Sequence, residues 1–440
     1  MKQRNLLIAA VLLAALSGGV WWAKRHPQSA ETANVPASPK LVDIPQAQIK
    51  EIDLKKKDGT TVILQNQNGR WSIAAPESLP ADQDAANALA STFNPVSADN
   101  VVEDKPKDLT QYGLSNPSLT VTVDEKDGKS QQLFLGDDVP AGSLAYARAN
   151  SDPKVYAVSS SIKSSLDKSA NDLRDKRLLT FDSNRLTRIE LVSGKTDVEF
   201  GKNNQNDWQI IKPEPYRADS FQVEELLRKL TDAKMDLSAS ADTTKKADSA
   251  FASGQPVGTV KVSDAAGTQN LDVRKNKDDY YAKSSVVSGV YKVSADLGKE
   301  IDKPLDDFRN KKIFDFGFTD PTKIELQQGA SDKTYVRSGS DWKLGSQTMD
   351  AISIQAFIDK LRDLSAAKFV NGGFTTPAFS VTVTSNDGKR IEKAEFAKAA
   401  DGYIARRENE ASLYQVDTKS ADDMLEASKA IKPTASAGKK

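Results

Sequence analysis

The sequence predicts an α+β fold, with three tandem repeats of a helix-on-antiparallel-sheet module preceded by one transmembrane helix. Three observations predict it. The N-terminal region contains a long apolar run, three tryptophans (Trp71, Trp208 and Trp342) recur at spacings of 137 and 134 residues, and each tryptophan lies between a strand-like alternation and an amphipathic helical pattern. At about 150 residues per domain, a chain of 440 residues is also long enough for about three domains.

The composition excludes several classes of protein. The chain carries 61 lysines and arginines against 61 aspartates and glutamates, so it lacks the basic surplus of a nucleic-acid-binding protein, and we expect no nucleic-acid partner. It has no cysteine, which excludes disulfides, thiolate catalysis and cysteine-bound zinc. The single histidine, His26, lies in a predicted linker, so nothing supports a Ser-His-Asp arrangement or a histidine-rich metal site.

Residues 1–25 are predicted to form an N-terminal transmembrane anchor. Residues 6–23 are uncharged and almost wholly apolar, and as a helix they extend about 27 Å, just short of a hydrocarbon core of about 30 Å. Trp21, Trp22, Lys24 and Arg25 end this run, and they are residue types that lie at membrane interfaces. We therefore predict these four residues as a membrane-interface site.

A cleaved signal peptide is the alternative for the same segment. Lys2 and Arg4 suit a basic leading region, and Ala15 with Ser17 suits a small-residue cleavage site. The apolar run continues through both tryptophans, which favours an uncleaved anchor. Lysine and arginine are balanced on the two sides of the run, so the positive-inside rule does not orient it. The simplest arrangement is a single-pass protein of the inner (cytoplasmic) membrane with most of the chain periplasmic.

Composition and repeats together predict the domain boundaries. Residues 26–47 are rich in Pro, Ala, Ser and Thr, which is typical of a flexible tether. The repeats divide the rest of the chain into module 1 (residues 48–184), module 2 (residues 185–320) and module 3 (residues 321–433). Residues 434–440 are predicted to be a disordered tail.

The repeated patterns match position by position. In each module an aspartate (Asp82, Asp219 or Asp350) is the predicted helix N-cap, and apolar residues follow it at the fourth, seventh, eighth and eleventh positions. Further along, residues 113–123 resemble residues 373–383, and residues 172–181 resemble residues 307–316. Each module also has two short predicted strands whose first residues are ten apart: Tyr146 and Tyr156, Tyr281 and Tyr291, and Ile404 and Tyr414.

These motifs resemble the bacterial domain-of-unknown-function 4340 family. The resemblance rests on the tryptophan strand, the aspartate-capped helix, Tyr112-Gly113-Leu114 with Pro117, the Leu135-Gly136 step and the Tyr-Ala strand, and it covers most of residues 48–320. Module 3 matches more loosely, because it lacks the Tyr-Gly-Leu form and the Leu-Gly step. The resemblance implies a membrane-anchored accessory of an ABC-type transporter, similar to the gliding-motility auxiliary components. It supplies no catalytic residues.

A search for catalytic motifs gives no candidate. The chain has no phosphate-binding loop, no dinucleotide fingerprint and no EF-hand loop. Two Ser-x-x-Lys matches lie in a segment rich in serine and lysine, residues 159–169, without the Lys-Thr-Gly partner of that chemistry. Adjacent acids such as Asp137 and Asp138 are typical of turns, and the three repeated tryptophans are typical of core residues. We predict no catalytic residue, no cofactor and no metal.

The leading hypothesis is therefore a non-enzymatic, membrane-anchored extracytoplasmic scaffold or accessory protein. Its predicted partners are the membrane, through the N-terminal helix, and an ABC-transporter permease or another envelope protein. One alternative is a binding module for an envelope glycan or lipid, with apolar residues exposed at residues 179–185 and 314–321. A further alternative is a carboxylate-dependent hydrolase, which requires an acid constellation in one module that the other two lack.

Overall fold

The computed structural model describes residues 38–140, 142–204, 206–237 and 241–434. The chain divides into two compact units, Met1–Asp175 and Lys176–Lys440, each of which is described by itself. The predicted anchor, residues 1–25, lies outside the described residues. In the part of the chain that the structure describes, no helix combines the length and apolarity needed to cross a membrane.

The first unit contains a nine-stranded antiparallel sheet with the order β5-β4-β3-β2-β8-β9-β10-β11-β7, and a small second sheet made of β1 and β6. Its strands are β1 Lys40–Val42, β2 Ile49–Lys56, β3 Thr61–Gln67, β4 Arg70–Ala75, β5 Leu79–Pro80, β6 Val96–Ser97, β7 Asn100–Glu103, β8 Leu119–Glu125, β9 Ser130–Asp138, β10 Leu144–Ala149 and β11 Val155–Ser159. Its helices are α1 Gln83–Ser91, α2 Ser160–Leu166 and α3 Ala170–Leu173, with 3-10 turns at Gln46–Gln48 and Thr110–Tyr112.

The second unit begins with an eight-stranded antiparallel sheet of order β15-β14-β13-β12-β16-β17-β18-β19. Its strands are β12 Arg188–Ser193, β13 Asp197–Lys202, β14 Trp208–Lys212, β15 Tyr216–Arg217, β16 Gln255–Asp264, β17 Gly267–Asn276, β18 Asp279–Ser284 and β19 Val290–Val293. Its helices are α4 Ser220–Thr231, α5 Ala241–Ser253, α6 Ala295–Ile301 and α7 Leu305–Phe308.

The second unit ends with a nine-stranded antiparallel sheet of order β23-β22-β21-β20-β25-β26-β27-β28-β24. Its strands are β20 Lys323–Gln328, β21 Ser331–Ser338, β22 Asp341–Leu344, β23 Gln347–Thr348, β24 Lys368–Val370, β25 Pro377–Ser385, β26 Arg390–Ala399, β27 Gly402–Arg407 and β28 Leu413–Val416. Its helices are α8 Ala351–Asp363 and α9 Thr418–Lys429, with a 3-10 turn at Asn386–Gly388.

The predicted fold class is wrong. The described part of the protein is mostly β, with 44% strand and 22% helix in four antiparallel sheets, and it is not a series of helix-on-sheet modules. The helical pattern after each tryptophan is strong, but the helices are few and short. Two-residue edge strands such as Leu79–Pro80 and Gln347–Thr348 are too brief for an alternation to appear in sequence, so the extent of each sheet was underestimated.

The three predicted N-caps are confirmed. Asp82 accepts hydrogen bonds from the N–H groups of Asp84 and Ala85, while Asp219 and Asp350 each accept one from the residue three positions later. The predicted apolar positions of the helices are buried in the three core clusters: Ala86, Leu89, Ala90, Phe93, Val223, Leu226, Leu227, Leu230, Ile354, Phe357, Ile358 and Leu361. The helical half of each repeat is therefore encoded locally.

Each core cluster also contains an N-terminal arm, which we define as residues 39–44, 176–181 or 311–316. The apolar residues of each arm are buried in the core that follows it in sequence: Leu41, Val42 and Ile44; Leu178, Leu179 and Phe181; and Ile313, Phe314 and Phe316. The first residue of each arm accepts one backbone hydrogen bond at 2.7 to 2.8 Å, from the N–H of Ala98, Met235 or Ala366. The three arms are therefore structurally equivalent. Residues 39–44 lie in the predicted tether, and the other two arms lie near the predicted ends of modules 1 and 2, but each arm belongs structurally to the module whose core it enters.

The end of each repeat folds back onto its own helix cap. The backbone N–H groups of Asp82, Asp219 and Asp350 donate to the carbonyl groups of Leu173, Phe308 and Lys432, each at 2.8 Å. In each repeat, the residue before the aspartate and the residue after the hydrogen-bond acceptor form an isolated bridge: Ala81 with Arg174, Ala218 with Arg309, and Met349 with Pro433. These matched contacts establish which residues of the three repeats correspond to one another.

Candidate functional site

A dense cluster of charged and aromatic side chains lies inside the second unit, where module 2 meets module 3. We call this cluster the junction and define it by Arg217, Arg309, Asp315, Glu392, Arg407, Glu410 and Tyr414. The predicted membrane-interface residues, Trp21, Trp22, Lys24 and Arg25, lie outside the described residues, so the structure does not place them near the junction or elsewhere.

Arg217 ends the short strand β15 and reaches from module 2 toward module 3. Its Nη2 donates to the carbonyl oxygen of Lys312 at 2.5 Å and to the hydroxyl of Tyr414 at 3.1 Å. Its Nε lies 2.9 Å from Glu410 Oε1, an ion pair without hydrogen-bond alignment, and its Nη1 lies 3.6 Å from Asp315 Oδ2. Since only 18% of the side chain is exposed, these contacts are shielded from water.

The carboxylate of Glu410 is shared by both modules. It accepts from the Tyr414 hydroxyl at 2.6 Å and from Arg407 Nε at 2.8 Å. Arg407 continues the network to Glu392 Oε1 at 3.1 Å and to the carbonyl of Ile313 in the arm. Arg407 and Glu392 are both buried, and each has an opposite charge beside it, which offsets part of the cost of their desolvation.

The network changes the proton affinities of its members. Burial raises the pKa of Glu410, but the guanidinium groups of Arg217 and Arg407 lower it by more than burial raises it. The pKa of Glu410 therefore lies below its ordinary value. Burial raises the pKa of the Tyr414 phenol. Burial opposes the charge of Arg217, yet Tyr414 and Glu410 more than compensate, and its pKa is raised. Glu410 and Arg217 are therefore held charged and Tyr414 is held neutral at pH 7.

Arg309 is held between two aromatic rings. Its guanidinium carbon lies 4.1 Å from the ring centre of Tyr216 in module 2 and 3.5 Å from that of Phe369 in module 3. Nη1 donates to Asp306 at 2.9 Å and Nη2 donates to the Ser412 hydroxyl at 2.8 Å. A planar guanidinium stacks between rings in a way that an ammonium does not, so Arg309 joins the modules through geometry as well as charge.

A cavity of about 410 Å³ lies beside the junction on module 3. Its lining mixes three cations with three acids: Lys393, Glu395, Arg406, Arg407, Glu408, Asn409, Glu410 and Ala411. Arg406 pairs with Glu395 at 2.6 Å, and Arg407 and Glu410 belong to the network, so most of these charges are already neutralised. The lining suits a polar or charged ligand better than an apolar one.

The apolar residues of the two segments that were predicted to expose them are largely buried. Leu179 and Phe181 pack in the core of module 2, while Phe314 and Phe316 pack in the core of module 3. Phe318 is the exception, with 96% of its surface exposed beside Arg362. The repeated tryptophans are buried as well, and Trp71 Nε1 donates to Asn87 Oδ1 at 2.9 Å, so they act as core residues and not as exposed platforms.

Sequence reasoning missed the junction. Arg217 corresponds to Pro80 and Thr348 in the other modules, so the repeat pattern does not mark it. Arg309 lies in the repeated segment that matches residues 172–181, but a basic residue there resembles an ordinary surface charge. Two signals were available, the four-residue spacing of Glu410 and Tyr414 and the run Arg406-Arg407, and neither identifies its partner without the fold.

The charged groups of the junction are paired with one another. Its arginines neutralise its carboxylates, and its tyrosine phenol donates to Glu410. Across the described ranges, no group of three or more His, Asp or Glu side chains is placed to hold a metal ion. The chemistry of this cluster is recognition of one charged surface by another.

Comparison with known proteins places the chain in a family. The model of the family described as a domain of unknown function (DUF4340) matches residues 71–207 and again residues 208–378. The chain therefore belongs to this family and contains repeat-like copies of its domain. No curated protein and no solved structure matches the chain.

Proposed function

We propose that this protein is a non-enzymatic accessory or scaffold protein, held at the inner membrane with its modules on the extracytoplasmic side. The junction is the observation that carries the proposal. Its largely buried charges are paired with one another, and the contacts of Arg217 with Glu410 and of Arg309 with Phe369 join modules 2 and 3 within one compact unit. A compact unit whose charges are already paired suits a protein that positions other proteins, whereas a catalytic site holds groups with perturbed pKa values ready for reaction.

Attachment to the membrane is supported by the sequence. Residues 6–23 are almost wholly apolar and uncharged. Trp21 and Trp22 lie at the end of this run and Lys24 and Arg25 follow it, and all four are interface residue types. The part of the predicted tether that precedes the first arm, residues 26–38, is rich in Pro, Ala, Ser and Thr and gives the modules reach away from the bilayer. The resemblance to the family further supports an ABC-type transporter, or another envelope complex, as the partner that the scaffold serves.

Removal of residues 1–25 tests this proposal. The full chain is expected in the membrane fraction, resistant to a wash at high salt, and the shortened chain is expected in the soluble periplasmic fraction when it is exported by an unrelated cleavable signal. A matched control replaces Lys24 and Arg25 by glutamine, which keeps the apolar run and is expected to leave the chain in the membrane. Membrane association and function that survive removal of residues 1–25 would contradict the proposal.

One observation favours a second function, the binding of a polar envelope ligand. The cavity on module 3 holds Lys393, Glu408 and Asn409 beside groups that are already paired. Calorimetric titration of the full chain with soluble peptidoglycan fragments tests it, with Lys393→Ala as the cavity variant and Lys389→Ala, outside the cavity lining, as the control. Heat of binding that is lost only in Lys393→Ala would support a ligand-binding module. No heat, or equal heat in both variants, would contradict it.

A further inference from the structure

Module 1 repeats the acidic half of the junction. In module 3, Glu410 and Tyr414 are four residues apart, and together they receive Arg217 of module 2. In module 1, Asp152 and Tyr156 are also four residues apart, at the corresponding turn between two antiparallel strands. The Tyr156 hydroxyl donates to Asp152 Oδ2 at 2.7 Å, and the Tyr414 hydroxyl donates to Glu410 Oε2 at 2.6 Å.

The arms supply a second shared acid. Asp315 lies three residues after Lys312 in its arm, and both contribute to the binding of Arg217, Asp315 by charge and Lys312 by its carbonyl oxygen. Asp43 lies three residues after Lys40 in the equivalent arm of module 1. The Asp43 carboxylate is 42% exposed and pairs with the Lys40 ammonium at 2.7 Å, so it remains accessible to a second cation.

The neighbouring edge strand is also repeated. Strand β24 places Phe369 opposite Tyr414, and the Phe369 ring is covered by Arg309 of module 2. Strand β7 places Val101 opposite Tyr156 in the same way. Val101 and the next residue, Val102, are 39% and 40% exposed, so both valines of this edge strand are open to solvent. In module 3, this face is covered by module 2. Module 1 has the equivalent face, made by strand β7 and Tyr156.

We propose that this face, the module 1 docking face (Asp43, Val101, Val102 and Asp152, with the buried Tyr156 bonded to Asp152), binds a partner protein that presents an arginine from an exposed edge strand. The guanidinium of that arginine would form ion pairs with Asp152 and Asp43. Arg217 forms the equivalent ion pairs with Glu410 and Asp315. Apolar atoms beside that arginine would cover Val101. This inference rests on the proposed function and names the module and the chemistry through which the scaffold docks.

The other occupants have the wrong chemistry. In a second copy, the end of module 3 offers Gln347, Thr348 and Pro433 at the positions where module 2 offers a tyrosine and two arginines. Residues 26–39 of the chain itself contain no lysine or arginine, and the nearest preceding cations, Lys24 and Arg25, follow the apolar segment directly. A separate protein therefore remains as the source of the arginine.

A photocrosslinker at Val101 tests the proposal in the full-length protein in native membranes. The expected adduct joins Val101 to a different polypeptide, at a peptide that contains an arginine. The adduct is expected to fall at least tenfold in the double variant Asp43→Asn, Asp152→Asn. It is expected to persist in Asp84→Asn, which removes an exposed acid from helix α1 of the same module. Unchanged circular dichroism of the crosslinker protein, the double variant and Asp84→Asn establishes that the module remains folded.

Several results would overturn the proposal: adducts with residues 1–37 of the same chain, adducts with a second copy, adducts equally strong in the double variant, or no adduct at all. A second crosslinker at the exposed Phe318 separates this failure from that of the proposed function. If Phe318 reaches an envelope protein while Val101 does not, the scaffold function stands and the module 1 docking face is wrong. If neither position reaches another protein, both proposals fail.

Discussion

The guanidinium of Arg217 donates to the hydroxyl of Tyr414 at 3.1 Å across 197 residues of sequence. The two side chains belong to neighbouring repeats, and both contact Glu410. This arrangement joins two modules that have their own cores within one compact unit. It also defines a type of contact, in which an arginine binds a tyrosine hydroxyl and a carboxylate that are hydrogen-bonded to each other. Module 1 has such a pair in Tyr156 and Asp152.

Replacement of Arg217 by alanine is expected to destabilise the second unit by about 3 kcal/mol, because Glu410 loses a partner while it stays largely buried. The measurement is urea unfolding of the full chain, followed by the fluorescence of its tryptophans. Arg228→Ala is the control, since its pair with Glu225 lies on an exposed helix surface and is worth at most about 1 kcal/mol. Equal midpoints for the two variants would contradict the role of the junction.

Replacement of Arg309 by lysine is expected to cost about 1–2 kcal/mol, because an ammonium cannot stack between the rings of Tyr216 and Phe369 as a planar guanidinium does. The same unfolding assay measures it. Arg148→Lys is the matched control, since Arg148 lies over a single ring, that of Phe134, at 5.0 Å. A loss no greater than that of the control would mean that the two rings contribute little.

Acid is expected to weaken the junction. The pKa of Glu410 is lowered in the folded protein, so its stabilising contribution is complete above its unfolded pKa of about 4.3 and is lost as the pH falls through the lower folded value. The urea midpoint of the second unit should therefore fall below about pH 4.3 more steeply in the wild-type chain than in Glu410→Gln. Parallel curves for the two proteins would show that Glu410 does not carry this dependence.

The phenol of Tyr156 is expected to ionise late. Burial, followed by the Asp152 carboxylate, raises its pKa to about 12. The stability that comes from this group is present below its unfolded pKa of about 10 and is lost as the pH rises toward about 12. Absorbance at the tyrosinate band measures the step. The ionisation step should disappear in Tyr156→Phe and move to lower pH in Asp152→Asn. An unchanged step in Asp152→Asn would show that Asp152 does not raise the pKa of Tyr156.

Replacement of Trp71 by phenylalanine is expected to cost about 2 kcal/mol, because Trp71 is buried and its indole N–H bonds Asn87 at 2.9 Å. Unfolding of the first unit measures the loss. Phe221→Leu serves as the control, since Phe221 is 70% exposed and its replacement should change stability by less than about 0.5 kcal/mol. An unchanged midpoint for the Trp71 variant would revive a surface role for the repeated tryptophans.

The repeats and the capped helices could be predicted from sequence because they depend on local chemistry. The aspartate at each cap and the apolar positions after it define helices α1, α4 and α8 without reference to the rest of the chain. The size of the sheets could not be predicted in the same way, and the predicted fold class was wrong as a result. Short edge strands such as Tyr216–Arg217 owe their conformation to their neighbours and leave no alternation.

The junction could not be predicted because it is a contact between repeats. Sequence comparison aligns equivalent residues, whereas Arg217 binds residues that are not equivalent to it. Its counterparts Pro80 and Thr348 have different chemistry, so the alignment hides it. A carboxylate and a tyrosine four residues apart occur in two of the three repeats, as Asp152 with Tyr156 and Glu410 with Tyr414. Only the fold shows that such a pair binds an arginine, because Arg217 reaches Glu410 from another module.

The most direct test of the central claim is chemical crosslinking of the full-length protein in its native membrane, followed by purification in detergent and identification by mass spectrometry. We expect one envelope protein, an ABC-type permease or a component of a comparable complex, in roughly one-to-one amount with the chain. Recovery of self-crosslinks or glycan fragments alone would contradict the scaffold function and direct attention to the cavity beside Glu410.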